Sequence, residues 1–130
     1  MTEDPRDPLI RSAIDAFNTL DVDGLMGFIH PKVVSRVSET MGNPGSYEGV
    51  EGFGTMMADW SEAWSDQRIT LREVEHVTES TSLVYVDQSL VGAGSGVPVE
   101  AETTFLIVFE DERAIQFEIH PTRESALEAL

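Results

Sequence analysis

The residues best suited to chemistry in this chain are three histidines, two tryptophans on one helical stripe and scattered carboxylates; spacing decides what each can do. His30, His76 and His120 lie far apart, and no His-x-x-x-His or Glu-x-x-His pattern joins them, so no metal site is expected. The chain has no cysteine, which removes thiolate zinc binding and a disulfide framework. Gly92-Ala93-Gly94-Ser95-Gly96 is rich in glycine, but it joins two strand-like segments and lacks the helix and lysine of a phosphate loop. No Ser-His-Asp or nucleophile-elbow pattern is present, and no cofactor is implied. His30 precedes Pro31 and reads as a helix-end residue bonded to backbone, while His76, between Glu75 and Val77, is expected to face outward. His120 ends the last strand and is a candidate acid or base at a pocket mouth. Arg36 could clamp a carboxylate bidentately, but alternation with Val37 turns it away from the interior, towards a surface ion pair.

The elements that position these residues can be read from hydrophobic periodicity. Asp7 can cap a helix with Pro8 in its first turn, followed by Leu9, Ile10, Ala13, Ile14, Phe17 and Leu20 at helical spacing. A shorter helix through Leu25, Met26, Phe28 and Ile29 stops at His30-Pro31, since a residue before proline avoids the α region. Val33 to Ser38 reads as a strand and Met41 to Ser46 as a loop. A third helix is expected from about Gly49 to Ser65, with Phe53, Met57, Trp60 and Trp64 as its apolar stripe. Gly52 and Gly54 weaken its first turn, so tertiary packing must hold that end. From Arg68 the period becomes two, and Ile69–Val77, Leu83–Val91, Val97–Phe109 and Ala114–His120 read as strands joined by turns short enough for hairpins. Thr122 can cap a last short helix. The pattern predicts one α+β domain over residues 1–130, a mostly antiparallel sheet with three N-terminal helices against one face. The run Phe105 to Phe109 is apolar at every position, which a strand needs only when both its faces are covered. A second copy of the chain is the expected cover, giving a homodimer through an outer sheet face of Phe105, Ile107 and Phe109.

Composition narrows the partners. Eight basic against 24 acidic residues give a net charge of −16, which repels nucleic acid phosphates and anionic lipids. Hydrophobic residues make up 41% of the chain, enough to fold rather than to form a disordered acidic tail. No apolar run nears the roughly 20 residues that span a bilayer, and the opening is unlike a signal peptide. A cytoplasmic location is therefore expected, the acidity serving solubility, for instance in a saline cytoplasm.

The order of elements and several phrases resemble the SnoaL-like, polyketide-cyclase-like group of the nuclear-transport-factor-2-like superfamily. The phrases are Asp21-Val22-Asp23-Gly24-Leu25, Phe28-Ile29-His30-Pro31, Tyr47-Glu48-Gly49 with Gly52, and Trp60-Ser61-Glu62-Ala63-Trp64-Ser65-Asp66. They continue with Gly94-Ser95-Gly96-Val97-Pro98-Val99 and the ending Arg123-Glu124-Ser125-Ala126-Leu127-Glu128-Ala129, so they span nearly the whole chain. The resemblance implies a curved sheet wrapped around helices, a conical cavity, and dimers through the outer face. Its members include cyclases, a ketosteroid isomerase, epoxide hydrolases, dehydratases and proteins without catalysis, so the fold does not settle function.

The resemblance also says where acid–base groups would stand. The isomerase's general-base aspartate falls at Val37 and its oxyanion-hole tyrosine at Ala13, and neither substitute can move a proton. The cyclases' aspartate falls at Ile119, which alternates with Phe117 and Ile115 as an apolar cavity face should. If Glu110 pairs with Arg113, then Val108, Leu106, Thr104 and Glu102 share that face, making Glu102 the best pocket carboxylate and Gln88 the other polar candidate. The expected pocket is Phe17, Val37, Phe53, Met57, Trp60, Trp64, Val86, Gln88, Glu102, Thr104, Leu106, Phe117 and Ile119, holding a hydrophobic or polycyclic small molecule. The alternatives are a cofactor-independent cyclase, isomerase, dehydratase or epoxide hydrolase using Glu102, helped by Gln88 or His120, and a dimerisation or protein-binding module with a filled cavity.

Overall fold

Helix α1 (Arg6–Thr19) begins one residue before the proposed cap, because Asp4 takes the capping role: its carboxylate accepts from the Arg6 backbone N–H at 2.9 Å. Asp7 is used otherwise, as an acceptor for His76 Nε2 at 2.8 Å. After α1 come α2 (Val22–Phe28), capped by Asp21, then β1 (Ile29–Val37), β2 (Gly45–Glu48) and α3 (Gly49–Ala63). They are followed by β3 (Trp64–His76), β4 (Thr81–Gly92), β5 (Pro98–Glu110), β6 (Arg113–His120) and α4 (Arg123–Glu128), capped by Thr122. This computed structural model describes residues 4–19, 21–38 and 45–130, with only the backbone for residues 60, 61 and 63–65. Leu20, the loop residues 41–44 and the side chains of Trp60 and Trp64 lie outside the described residues.

The strands form one curved, mostly antiparallel sheet in the order β2-β1-β6-β5-β4-β3. Among the described strands, only β1 and β6 pair in parallel, with Ser35 opposite Phe117 and Val37 opposite Ile119. Strand β2 was read from sequence as the end of a loop; it forms because Gly45–Glu48 can pair antiparallel with Val34–Val37. Strand β3 starts at Trp64, five residues before the expected Ile69, so α3 passes into the sheet without a connecting loop.

Gly52 shows why the start of α3 tolerates poor helix formers. A Cβ there would lie 2.9 Å from the Tyr47 carbonyl carbon, so the glycine lets α3 close onto β2. The β5–β6 hairpin turns through Asp111 and Glu112, both at positive φ (53° and 62°), the tight two-residue turn that matches strand twist.

The core lies between the helices and the inner face of the sheet, where Ile10, Val33, Phe53, Met56, Val84, Phe105 and Ile107 are buried. The outer face has its own cover. Helix α4 packs Ala126 onto Leu83 and Leu106, which are 0% and 1% exposed. The all-apolar run of β5 is therefore explained within the chain: odd residues meet the core and Leu106 meets α4.

Candidate functional site

A single extra residue sets which side chains reach the interior. Glu110 does pair with Arg113, but the register shifts once: Phe109 faces Ala114 while Val108 faces Gln116, leaving Ile115 as a bulge. Directly opposed residues share a face, so one inserted residue reverses the match between strands. The pairs Ile107–Phe117 and Phe105–Ile119 thus face inward, while Leu106–Glu118 and Thr104–His120 face outward.

The inward residues enclose a cavity of about 80 Å³, measured as the space open to the centre of a water molecule. A single water needs about 10–15 Å³ on that measure, so this is more than a packing defect. Helix α1 contributes Ile10, Ala13, Ile14 and Phe17; α2 adds Leu25 and Phe28; α3 adds Phe53, Met56 and Met57. The sheet contributes Ile29, Ile69, Val84, Gln88, Phe105, Ile107, Phe117 and Ile119. Phe117 joins two walls, meeting Phe53 edge-on at 6.2 Å between ring centroids and Phe105 at 5.1 Å. Asn18 fixes α1 against the edge strand: its amide donates to the Ile69 carbonyl and accepts from the Ile69 N–H, both at 2.8 Å.

Among the described residues, Gln88 is the one polar side chain in the wall, and no ionisable group lines it. Gln88 is 4% exposed, and its Oε1 accepts a hydrogen bond from Thr103 Oγ1 at 2.9 Å.

Of the residues expected in the pocket, Phe17, Phe53, Met57, Gln88, Phe117 and Ile119 line it. Val37 and Val86 are buried in the same core without lining the cavity. Thr104 and Leu106 lie on the outer face, on the wrong side of the bulge. Glu102 is also outward: its side chain is 75% exposed and paired with Arg72 Nη1 at 3.1 Å. Phe105 and Ile107, assigned to an outer dimer face, instead form the cavity wall, and Phe109 packs edge-on against Phe28 at 5.9 Å. Sequence reasoning missed Met56, three residues after Phe53 on the same helix face. A signal for the true register lay in Glu100 and Glu102, whose spacing of two marks the solvent side of β5 and leaves the odd positions inside.

The other candidates belong to polar networks away from the cavity. His120 is buried on the outer face, its Nε2 bonded to Glu118 Oε1 and its Nδ1 to Ser125 Oγ, each at 2.8 Å. Glu118 is also held by the Gln116 amide and by Arg36 Nη1 at 3.9 Å, the ion pair expected of an outward Arg36. His76 is not outward: it stands on the helix-facing side and bridges Ser82 Oγ and Asp7, each at 2.8 Å. His30 accepts a backbone hydrogen bond from Lys32 N at 3.0 Å, within β1. A further exposed network joins Arg123 Nε, Glu75 Oε1 and the Tyr85 hydroxyl. Hydrogen bonding from Arg123, then from Tyr85, holds the Glu75 carboxyl below its usual value. Burial, aided by Glu75, pushes the Tyr85 phenol up.

Comparison with known proteins identifies the architecture. No curated protein matches significantly in sequence. The chain is similar to TerC co-crystallised with polyporic acid, at 19% identity and a TM-score of 0.82, covering 95% of this chain and 96% of that one. It is similar to an NTF2-like protein of unknown function from Burkholderia pseudomallei K96243, at 18% identity and a TM-score of 0.83, covering 98% and 97%. A putative SnoaL-like polyketide cyclase from Jannaschia sp. CCS1 matches at 16% identity and a TM-score of 0.77, covering 96% and 90%. At these identities the likeness is one of fold. The family model of the SnoaL-like domain matches residues 10–117, most of the chain, and the protein belongs to that family.

Proposed function

We propose that the protein binds a neutral, mainly apolar small molecule in the cavity between its helices and the inner face of the sheet. The observation that carries this reading is the open space itself, walled by aromatic and aliphatic side chains with Gln88 as its polar point. Such a site gains affinity from apolar area removed from water and orientation from few polar contacts. A charged ligand would lose its hydration there without gaining a charged partner among the described residues. The co-crystallised TerC and the polyketide cyclase of like fold support a small organic molecule as occupant. Glu102 is not retained as an acid or base for this cavity, because it stands on the opposite face of the sheet.

The test is a thermal-shift and ¹⁵N NMR screen of the full chain against neutral steroids, terpenes and polyketide-like polycycles, with fatty acids as the charged comparison. A ligand should raise the melting temperature and move the amide signals of Phe53, Met57 and Phe117 together. Glu102→Gln should leave that response unchanged. A screen in which no neutral compound moves those signals rejects the proposal.

A further inference from the structure

Resting on the reading of the cavity as a ligand site, we infer that the ligand presents a carbonyl oxygen to the side-chain amide of Gln88. The Thr103 hydroxyl donates to Gln88 Oε1 at 2.9 Å, which fixes the amide with its oxygen on β5 and directs Nε2 elsewhere. Among the described residues no acceptor is paired with Nε2, although the side chain is 4% exposed and lines the cavity. Its cross-strand neighbours, Ile69 on β3 and Ala101 on β5, offer no side-chain acceptor.

An amide donor enclosed by hydrocarbon is costly to leave unpaired, so the ligand that fits best brings an acceptor to it. A carbonyl meets that need without adding a donor of its own that the apolar wall would leave unpaired. A carboxylate would also accept, but it would bring a charge that no ionisable side chain among the described wall residues can balance. A ligand without an acceptor, such as a pure hydrocarbon, fills the space and leaves the donor empty. The class selected is therefore a neutral ketone or quinone-like oxygen set in a carbon skeleton.

The experiment uses 1-tetralone and tetralin, one bicyclic skeleton with and without the carbonyl, titrated into the ¹⁵N-labelled full chain. The ketone should bind about tenfold more tightly. It should move the Gln88 side-chain NH₂ signals downfield, while tetralin leaves them in place. Gln88→Leu should bring the two affinities together. Equal affinities for the wild-type chain with unmoved Gln88 signals would overturn the assignment and leave the cavity reading intact. If neither compound binds, the assignment fails, and the wider panel of neutral compounds decides the cavity reading separately. The wild-type NMR comparison stands whether or not the leucine variant folds.

Discussion

Replacing His120 by alanine should destabilise the protein by about 3 kcal/mol, a figure that follows from what Glu118 and Ser125 would lose. The Glu118 side chain is 2% exposed and that of His120 is 7% exposed, so water cannot readily substitute for the missing imidazole. A hydrogen bond to a charged group contributes about 1.5–3 kcal/mol, and the His120–Ser125 bond about 1 more. Together these two bonds come to about 2.5–4 kcal/mol. The Gln116 amide and Arg36 still serve the carboxylate, which places the expectation at the lower end of that range. Unfolding entropy of about 2.1 cal/mol/K per residue converts 3 kcal/mol into a melting temperature lowered by about 11 °C. Urea unfolding at neutral pH measures the free energy, and calorimetry measures the temperature. The double variant Glu118→Leu with His120→Leu replaces both partners by apolar groups and should recover most of the loss. If His120→Ala costs less than about 1 kcal/mol, or the double variant is as unstable as the single, the buried pair does not carry the stability assigned to it.

Two glycines of α3 make a matched pair. A Cβ at Gly52 would meet the Tyr47 backbone at 2.9 Å, whereas at Gly54 it meets nothing within 4 Å. Gly54→Ala should stabilise by about 0.5–1 kcal/mol through helix propensity, and Gly52→Ala should destabilise by about 1–3 kcal/mol through overpacking. Urea midpoints that move the same way would contradict this. Stability should also fall at both ends of the pH range. The Arg6 side chain holds the Asp4 carboxyl well below its usual 3.8, and Arg123 holds Glu75 below its usual 4.5. The unfolded chain takes up these protons first, so stability is full above about pH 5 and is lost as pH falls through those values. Tyr85, pushed above 10.0 by burial, holds its proton longer in the fold, so stability is lost as pH rises past about 10. Urea midpoints across the range check both limbs, and Arg123→Ala should flatten the part of the acid limb due to Glu75.

The helices, the strand order from β3 to β6 and the apolar character of the pocket were all legible in the sequence, because periodicity at 3.6 and at two marks them. Phe53 and Met57, four apart, were found this way, and so were Phe117 and Ile119. The partner wall was misread for a specific reason. From Phe105 to Phe109 every residue is apolar, so alternation carries no sign of which face is which, and the register had to be carried over from the turn. The bulge at Ile115 reverses it, and nothing in Arg113-Ala114-Ile115-Gln116 distinguishes a bulged residue from a paired one. That one residue removed Glu102, Thr104 and Leu106 from the pocket and put Phe105 and Ile107 into it. The buried Glu118–His120–Ser125 network was likewise invisible, since it requires α4 to lie over the outer face of β6.

The parallel pairing of β1 with β6 has a consequence for how the chain comes together in time. Ser35 meets Phe117 about 80 residues further along, so this contact closes a long loop and belongs to the slow part of folding. During synthesis at about 5–20 residues per second, β1 emerges roughly 4–16 s before the strand it must pair with. Through that interval it has the β2 hairpin and α3 as company, while Val33 and Val37 wait for the rest of the core. The cavity is therefore completed late, because β6 supplies Phe117 and Ile119 to its wall in the same step that joins the two halves of the sheet.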